Sequence, residues 1–512
     1  MADWQPKPGD KIVRPRRIRT HHLRRVLGVP ALFSIGYGDV GSSIYYGLGV
    51  VALFALGATP IALGAAGVIY ILNALTYAEG SAMLPEGGGS ASYARLGFND
   101  LVGFISGWAL MLSYIATMAI SAYTIPAYLA YFWPVLKEPV AGTLFAMAII
   151  FFLMTVNVIG IRESASLNIT FITVDILTQL GLVVAGIVLI LIPNPMVLWQ
   201  HMFGAGNWPS AGNLILGIAF AALCFTGVES VSQHGEETRH PERRMPQAYI
   251  LMIVVVLVLF AGVSLVALST MTPQALGDPV NGWARDPIAG IANGISQLIS
   301  PRETAAHITS SVELQIVLSW ALQALRNALP VLVAILAATI LLVATNAGLL
   351  GISRLTYNLS SRRQLPATLA RVHYRFRTPY VAIILFCLVS LVLLTPGFVS
   401  PNFFSELGAL YVFGSLLCFA LAHAAILALR WRRPDLKRPF KLSGNVRFLG
   451  HELPLTPILG LLSTGTVWMI IMVIQPFSRW AGLLWMAVGF MVYYLYRRLR
   501  GMSLTHADKK RS

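Results

Sequence analysis

The chain has 512 residues, of which 56% are apolar and only 11% charged, with a net charge of +16. A soluble globular domain is nearer a quarter charged, so this composition excludes a soluble enzyme and points to a polytopic membrane protein. The basic excess raises nucleic acid as a partner, but the charges sit in short blocks between apolar segments, so nucleic acid is not expected. Cys224, Cys387 and Cys418 all fall inside apolar segments. They read as small core residues, with no disulfide framework and no structural metal.

Residues 1–29 form a basic tail, expected to be cytoplasmic. The apolar run after it is too long and glycine-rich for a cleaved signal peptide. Windows of about 20 apolar residues, the length that crosses a bilayer, recur twelve times. They fall near 30–56, 60–84, 101–133, 141–160, 167–193, 212–233, 246–270, 328–357, 379–396, 402–429, 454–475 and 479–496. A transmembrane unit over 30–496 is expected, then a basic tail over 497–512, with no soluble domain on either side. With the N-terminus inside, the outer connections hold only Lys137, Arg285, Arg302, Arg326 and Arg479 of the 37 basic residues. Both termini are therefore expected in the cytoplasm of a cell-membrane protein.

The outer connection from Met271 to Asn327 is long. From Glu313 onward its spacing is helical and amphipathic, which predicts a helix lying on the outer face. Gly64 and Gly67 in span 2 read as close helix-packing positions.

Two spans look interrupted. Span 1 carries Gly36-Tyr37-Gly38-Asp39-Val40-Gly41-Ser42-Ser43, and span 6 carries Thr226-Gly227-Val228-Glu229. A carboxylate at mid-membrane depth costs about 3 kcal/mol on insertion scales. The helix-breaking positions are Gly38, Gly41, Ser42, Ser43 and Gly227. Spans 1 and 6 hold matching places in two five-span units, about 30–193 and 212–429, with spans 11 and 12 over 454–496. Paired interruptions at matched positions mark a transporter's binding site. Asp39, Asp175 and Glu229 lie inside spans while every Lys and Arg lies near or beyond a span end. A group that alternates between a proton and a cation suits symport, so Glu229, Asp39 and Asp175 are the proton-coupling candidates. Asp175 reads equally as a sodium-holding acid or an acid facing a watery vestibule. Thr117 and Ser121 share one helix face, as do Thr226 and Glu229. The alternative for Thr117 and Ser121 is a back-bond to the carbonyl four residues earlier, and for Tyr411 it is packing.

Tyr77-Ala78-Glu79, Pro85-Glu86-Gly87-Gly88-Gly89-Ser90, Tyr93 and Gly97-Phe98 resemble the span 2–3 signature of the amino acid–polyamine–organocation (APC) superfamily. Asn157 to Ser164, Glu236 to Pro246 and Ser353 to Tyr357 with Leu365-Pro366 resemble its later motifs. The resemblance implies an all-α, roughly twelve-helix fold with five-plus-five inverted repeats and broken helices 1 and 6. It also implies secondary active transport rather than an enzyme. Glu79 belongs to the signature and reads as fixing a loop.

The string Gly38-Asp39-Val40-Gly41-Ser42-Ser43-Ile44-Tyr45-Tyr46 is similar to KUP- and KimA-type potassium importers within that superfamily. That resemblance implies an ion held by Asp39, Tyr46, Thr117, Ser121, Thr226, Glu229 and Tyr411. The leading expectation is therefore proton-coupled potassium uptake by alternating access, with K+ and H+ as the ions, Na+ as an open alternative and no cofactor. The rivals are an amino acid permease, with Glu229 binding the substrate amine or carrying the proton, and a polyamine transporter. The last would need an aromatic cage, for which Tyr37, Tyr45, Phe225 and Trp108 are candidates. The partners expected are the lipid bilayer, a small cation or amino acid, and a second copy in a homodimer.

Overall fold

The computed structural model describes residues 25–160, 165–299, 311–376, 378–400, 402–442, 444–448 and 451–505. The tails over 1–24 and 506–512, the Arg162 to Ser164 motif, Arg302 and Arg377 lie outside the described residues. The molecule is an all-α polytopic membrane protein. Among the described residues the one exception is a hairpin in the loop before span 11, Asn445–Phe448 antiparallel to His451–Pro454.

Span 1 runs as Val29–Val40, a tight turn at Gly41–Ser43, and Ile44–Ala55. Span 2 is Thr59–Met83, separated from span 1 where Leu56 adopts φ +46°. Spans 3, 4 and 5 are Asp100–Leu129, Pro139–Ile159 and Ala165–Gly186, the last continuing as a π turn over Ile187–Leu191. Span 6 is Ala211–Cys224, resumed as the short helix Glu229–Ser232. Spans 7 to 12 are Pro241–Thr270, Val312–Ser361, Tyr380–Leu393, Phe403–Arg432, Leu455–Ile474 and Pro476–Leu499. Among the described residues ten helical stretches are long and apolar enough to cross a bilayer, and the first of them, Val29–Met83, is spans 1 and 2 together. Span 12 is not among them, because Arg479, Arg497 and Arg498 dilute it.

Local chemistry sets the ends. The Asn99 side chain accepts from Val102 N at 3.0 Å and opens span 3, and Ser210 accepts from Asn213 N at 3.2 Å and opens span 6. These caps satisfy donors that a helix start otherwise leaves bare. Proline in the first turn starts spans 2, 4, 7 and 12, where its missing N–H costs nothing. Gly160 at φ +80° closes span 4.

The packing carries the repeat. The first arm of span 1 lies against Glu229–Ser232, and its second arm against Ala211–Cys224. The two spans therefore run antiparallel past each other. Span 2 packs along span 7, span 3 along span 8, and span 4 along span 9. Four helices each facing the helix five places later is the arrangement of an inverted repeat. Span 12 is fastened to span 3 by two indoles. Trp108 Nε1 donates to Trp485 O at 2.7 Å, Trp485 Nε1 donates to Trp108 O at 2.9 Å, and the rings stack with centroids 4.7 Å apart.

Two expectations need correction. The segment from Glu313 is not a separate helix lying flat. It is the start of span 8, one continuous helix of 50 residues, about 75 Å at 1.5 Å per residue, whose early Val312, Leu314, Ile316 and Trp320 are exposed. The covering role belongs instead to two short helices upstream, Pro273–Gly277 and Pro287–Leu298, which pack on span 1. Gly64 is not a packing position, since it is exposed and a Cβ there would meet nothing within 4 Å. Gly67 is one, with Leu257 of span 7 at 2.7 Å from such an atom.

Glu79 takes the structural place its motif implied. Arg430 Nε and Nη2 donate to its two oxygens at 2.9 and 2.8 Å, and Leu442 N donates at 3.0 Å. The bidentate pair, at 0% and 6% exposure, staples span 2 to the end of span 10.

Candidate substrate-binding site

The predicted interruptions meet, but they differ in kind. Span 6 is broken: Gly227 sits at φ +107° between Cys224 and Glu229. Thr226 Oγ1 donates to Leu223 O at 2.8 Å, closing the first arm. Span 1 is not unwound. Gly41–Ser43 is a single 3-10 turn with right-handed backbone throughout, so the expectation of a broken helix 1 is corrected to a tightened one. The carbonyl that the turn frees, Asp39 O, accepts from Ser42 Oγ at 2.8 Å and more weakly from Ser43 Oγ at 3.4 Å. Serine side chains thus replace the helical N–H that the tighter turn removes.

The close approach of the two spans depends on Gly227. A Cβ there would stand 2.8 Å from Asp39 Cγ and 2.9 Å from Val40 N. Its amide donates to Glu229 Oε2 at 3.1 Å. Ser230 Oγ donates to Asp39 Oδ2, leaving Asp39 Oδ1 buried without a partner. The carboxylates of Asp39 and Glu229 lie within interaction range of each other.

Spans 3 and 10 close the other side. Tyr46 Oη and Ser43 Oγ are 3.0 Å apart, Ser121 stands beside Tyr46, and Thr117 stands beside Tyr411. Asp39, Tyr46, Thr117, Ser121, Thr226, Glu229 and Tyr411 are all buried, at 1% exposure or less. Six of them lie close to one another where spans 1, 3, 6 and 10 meet, while the Thr226 hydroxyl is turned to Leu223 O in the break of span 6. Thr117 Oγ1 donates to Ser113 O at 3.0 Å, the back-bond weighed as its alternative. Ser121 Oγ and Tyr411 Oη have no protein partner. Buried polar atoms are nearly always satisfied, so these hydroxyls and Asp39 Oδ1 mark where a polar guest or water is wanted.

Three residues escaped sequence reasoning. Ser113 extends the Thr117/Ser121 stripe by one more four-residue step and stands beside Glu229. Tyr114 stands beside Ser230, with an unpartnered hydroxyl. Ser230 is the hydrogen-bond partner of Asp39, and only its place next to Glu229 hinted at it. A cleft on the side of the N-terminus, lined by Gly38, Tyr114, Ser230, Gln233, Val343 and Ala347, reaches this cluster. It leaves about 60 Å³ for the centres of water-sized molecules, room for a few waters.

Asp175 belongs to a different cluster. It is 1% exposed, so it faces no watery vestibule. Tyr45 Oη donates to its Oδ1 at 2.5 Å, and Tyr37 Oη and Gln179 Nε2 donate to its Oδ2 at 3.2 and 2.9 Å. The proposed aromatic cage does not exist either. Tyr37 and Tyr45 are bound to Asp175, Phe225 packs with Tyr70 and Phe260, and Trp108 stacks on Trp485.

A polar centre buried at the crossing of two antiparallel, interrupted helices, inside a repeated helical bundle, defines a secondary transporter of the APC type. The amino acid permease family profile matches residues 27–495, and the chain belongs to that family. It is similar to the methylthioribose transporter of Bacillus subtilis (strain 168), 28% identical over 94% of this chain and 95% of that protein. It is also similar to the branched-chain amino acid permease BcaP of the same organism, 26% identical over 93% of this chain and 94% of that one. The large neutral amino acids transporter small subunit 2 of Rattus norvegicus is 26% identical over 84% and 72% respectively. These relatives are not potassium importers, so the narrower likeness to KUP- and KimA-type proteins is not upheld.

Proposed function

We propose that the chain is a cell-membrane permease for a neutral α-amino acid, coupled to protons through Glu229 and Asp39, with both termini cytoplasmic. The observation that carries this reading is the likeness along nearly the whole chain to a branched-chain amino acid permease. The site is compatible with it. Asp39 Oδ1 is a bare acceptor for a substrate ammonium, and the Ser121 and Tyr411 hydroxyls stand ready for the rest of a polar head group. A potassium site would need several oxygens gathered on one point. Here Asp39 Oδ2 is taken by Ser230, and Ser43 and Tyr46 bond to each other. The basic-residue map supports the orientation, and no cofactor is required.

The test is uptake by proteoliposomes under an imposed proton gradient. Labelled neutral amino acids, labelled methylthioribose and rubidium, as a potassium tracer, are compared in parallel. Amino acid uptake that collapses with a protonophore is the expected result. Rubidium uptake without amino acid uptake overturns the reading, and saturable methylthioribose uptake alone moves the substrate to a thiosugar.

A further inference from the structure

The Asp175 cluster does nothing in the transport site itself, yet Asp175 is the most completely bonded of the three acids that lack a basic partner. Its two oxygens take three donors, and Gln179 Nε2 also reaches Tyr37 Oη at 3.3 Å. Tyr37 precedes the Gly41–Ser43 turn and Tyr45 follows it. One carboxylate on span 5 therefore grips both arms of span 1 across its point of altered geometry. Gly41 makes this possible: the Tyr37 ring lies over it, and a Cβ there would be 2.6 Å from Tyr37 Cε1 and Cζ. Any side chain at 41 would push the phenol off Asp175.

The grip continues outward. Tyr45 O accepts from Tyr128 Oη at 2.7 Å, and Tyr128 Oη in turn accepts from Ile288 N at 3.4 Å. Ile288 opens the covering helix Pro287–Leu298. A directional chain thus runs from span 5 through span 1 and span 3 to the outer cover.

We propose that Asp175 is a positioning residue, a clamp that holds the two arms of span 1 in register around the transport site and ties them, through Tyr45 and Tyr128, to the outer covering helix. It is not a carrier of the coupling ion, because both of its oxygens are already engaged. The clamp rests on the transport reading but not on which solute is carried. Apolar packing is non-directional, whereas the phenol-to-carboxylate bonds fix an angle as well as a distance. Loss of the clamp should therefore change geometry even where stability is retained.

The experiment uses the full chain and two readouts. The first is the KM for labelled leucine in proteoliposomes. The second, which needs no substrate, is the labelling rate of Ile288→Cys by a membrane-impermeant maleimide. Ile288 is 0% exposed, and the chain without this substitution provides the baseline for the three buried native cysteines. Asp175→Asn, which removes the charge from its hydrogen bonds, should raise the labelling rate about tenfold, and Tyr128→Phe, which loses neutral hydrogen bonds, about fivefold. Asp175→Asn should raise KM by a similar factor.

The deciding variant is Asp175→Leu/Tyr37→Phe/Tyr45→Phe/Gln179→Leu, which replaces the whole network with apolar groups of similar shape and so avoids stranded donors. The clamp expects this protein to be folded but to keep the raised labelling rate and KM. Wild-type values of both in this variant, or in Asp175→Asn, overturn the clamp. If Asp175→Asn does not fold, the fourfold variant decides. Failure of the wild type to move any solute overturns the functional reading instead, while the labelling arm still reports on the clamp.

Discussion

Gly227→Ala tests the meeting of spans 1 and 6 with one added methyl group. The amide N–H that serves Glu229 is retained, so only shape and backbone freedom change. Two costs follow. At φ +107° an L side chain is strained, by about 1–3 kcal/mol. The new Cβ would press on Asp39 Cγ at 2.8 Å, Asp39 Cβ at 2.9 Å and Val40 N at 2.9 Å. All three belong to a buried helix that cannot swing aside, and overpacking of that kind costs about 1–3 kcal/mol. The sum, about 2–6 kcal/mol, is relieved only by withdrawing span 6 from span 1. Withdrawal breaks the Ser230–Asp39 bond on which the site is built. The expected phenotype is a protein that melts several degrees lower in detergent and has lost saturable uptake. Gly64→Ala is the control, because its Cβ meets nothing and inside a helix the change should if anything stabilise, by about 1 kcal/mol. Gly227→Ala with wild-type melting and wild-type uptake would refute the reasoning.

Other outcomes follow from single contacts. Glu79→Gln leaves Arg430 buried without its counter-ion and should cost about 3–5 kcal/mol. It should read as loss of monodisperse protein in size exclusion, and a variant that purifies normally would show that the pair is dispensable. Ser230→Ala strips Asp39 of its partner, and an unsatisfied buried acceptor costs about 1–3 kcal/mol. A raised KM with the protein still folded is expected, and an unchanged KM counts against the site. In the connection between spans 7 and 8, burial pushes the Asp286 carboxyl up to about 6, against the opposing pull of Lys137 and Arg285. Between 3.8 and about 6 the native state then holds more protons than the unfolded one, so stability falls as pH rises through that window. The loss is at most about 3 kcal/mol, at 1.36 kcal/mol per pKa unit. Thermal unfolding at pH 4.5 and 7 should show it, and Asp286→Asn should flatten the slope. An unchanged slope in that variant would remove Asp286 as the cause.

Spans were legible because bilayer crossing imposes length and apolarity on contiguous residues, and both are local properties of sequence. The tie between Glu79 and Arg430 could be anticipated only as a role, since 351 residues separate them. The connection between spans 7 and 8 misled for a physical reason. Amphipathic spacing from Glu313 reports a helix but not its direction, and the same pattern fits a helix lying flat or one extending span 8. Span 1 misled in a similar way. Glycine and serine at 41–43 permit unwinding but do not compel it, and two serine hydroxyls on Asp39 O suffice to keep the chain right-handed.

The acids show where such reading stops. Sequence displays three carboxylates without basic neighbours, and an unpaired charge in an apolar span invites a cation to balance it. In the folded chain they are not equivalent. Asp175 is satisfied by two phenols from either side of a turn some 130 residues away, a partnership no local pattern encodes, and by the amide of Gln179 one helical turn along span 5. Glu229 takes the amide of Gly227 at the break beside it. Asp39 keeps one fully buried oxygen without a partner, and its other oxygen is engaged by the serine adjoining Glu229. One bare acceptor flanked by hydroxyls suits a single ammonium with a polar tail better than a bare ion that needs a full shell of oxygens. The free valence of Asp39, more than its charge, therefore separates the amino acid reading from the potassium one.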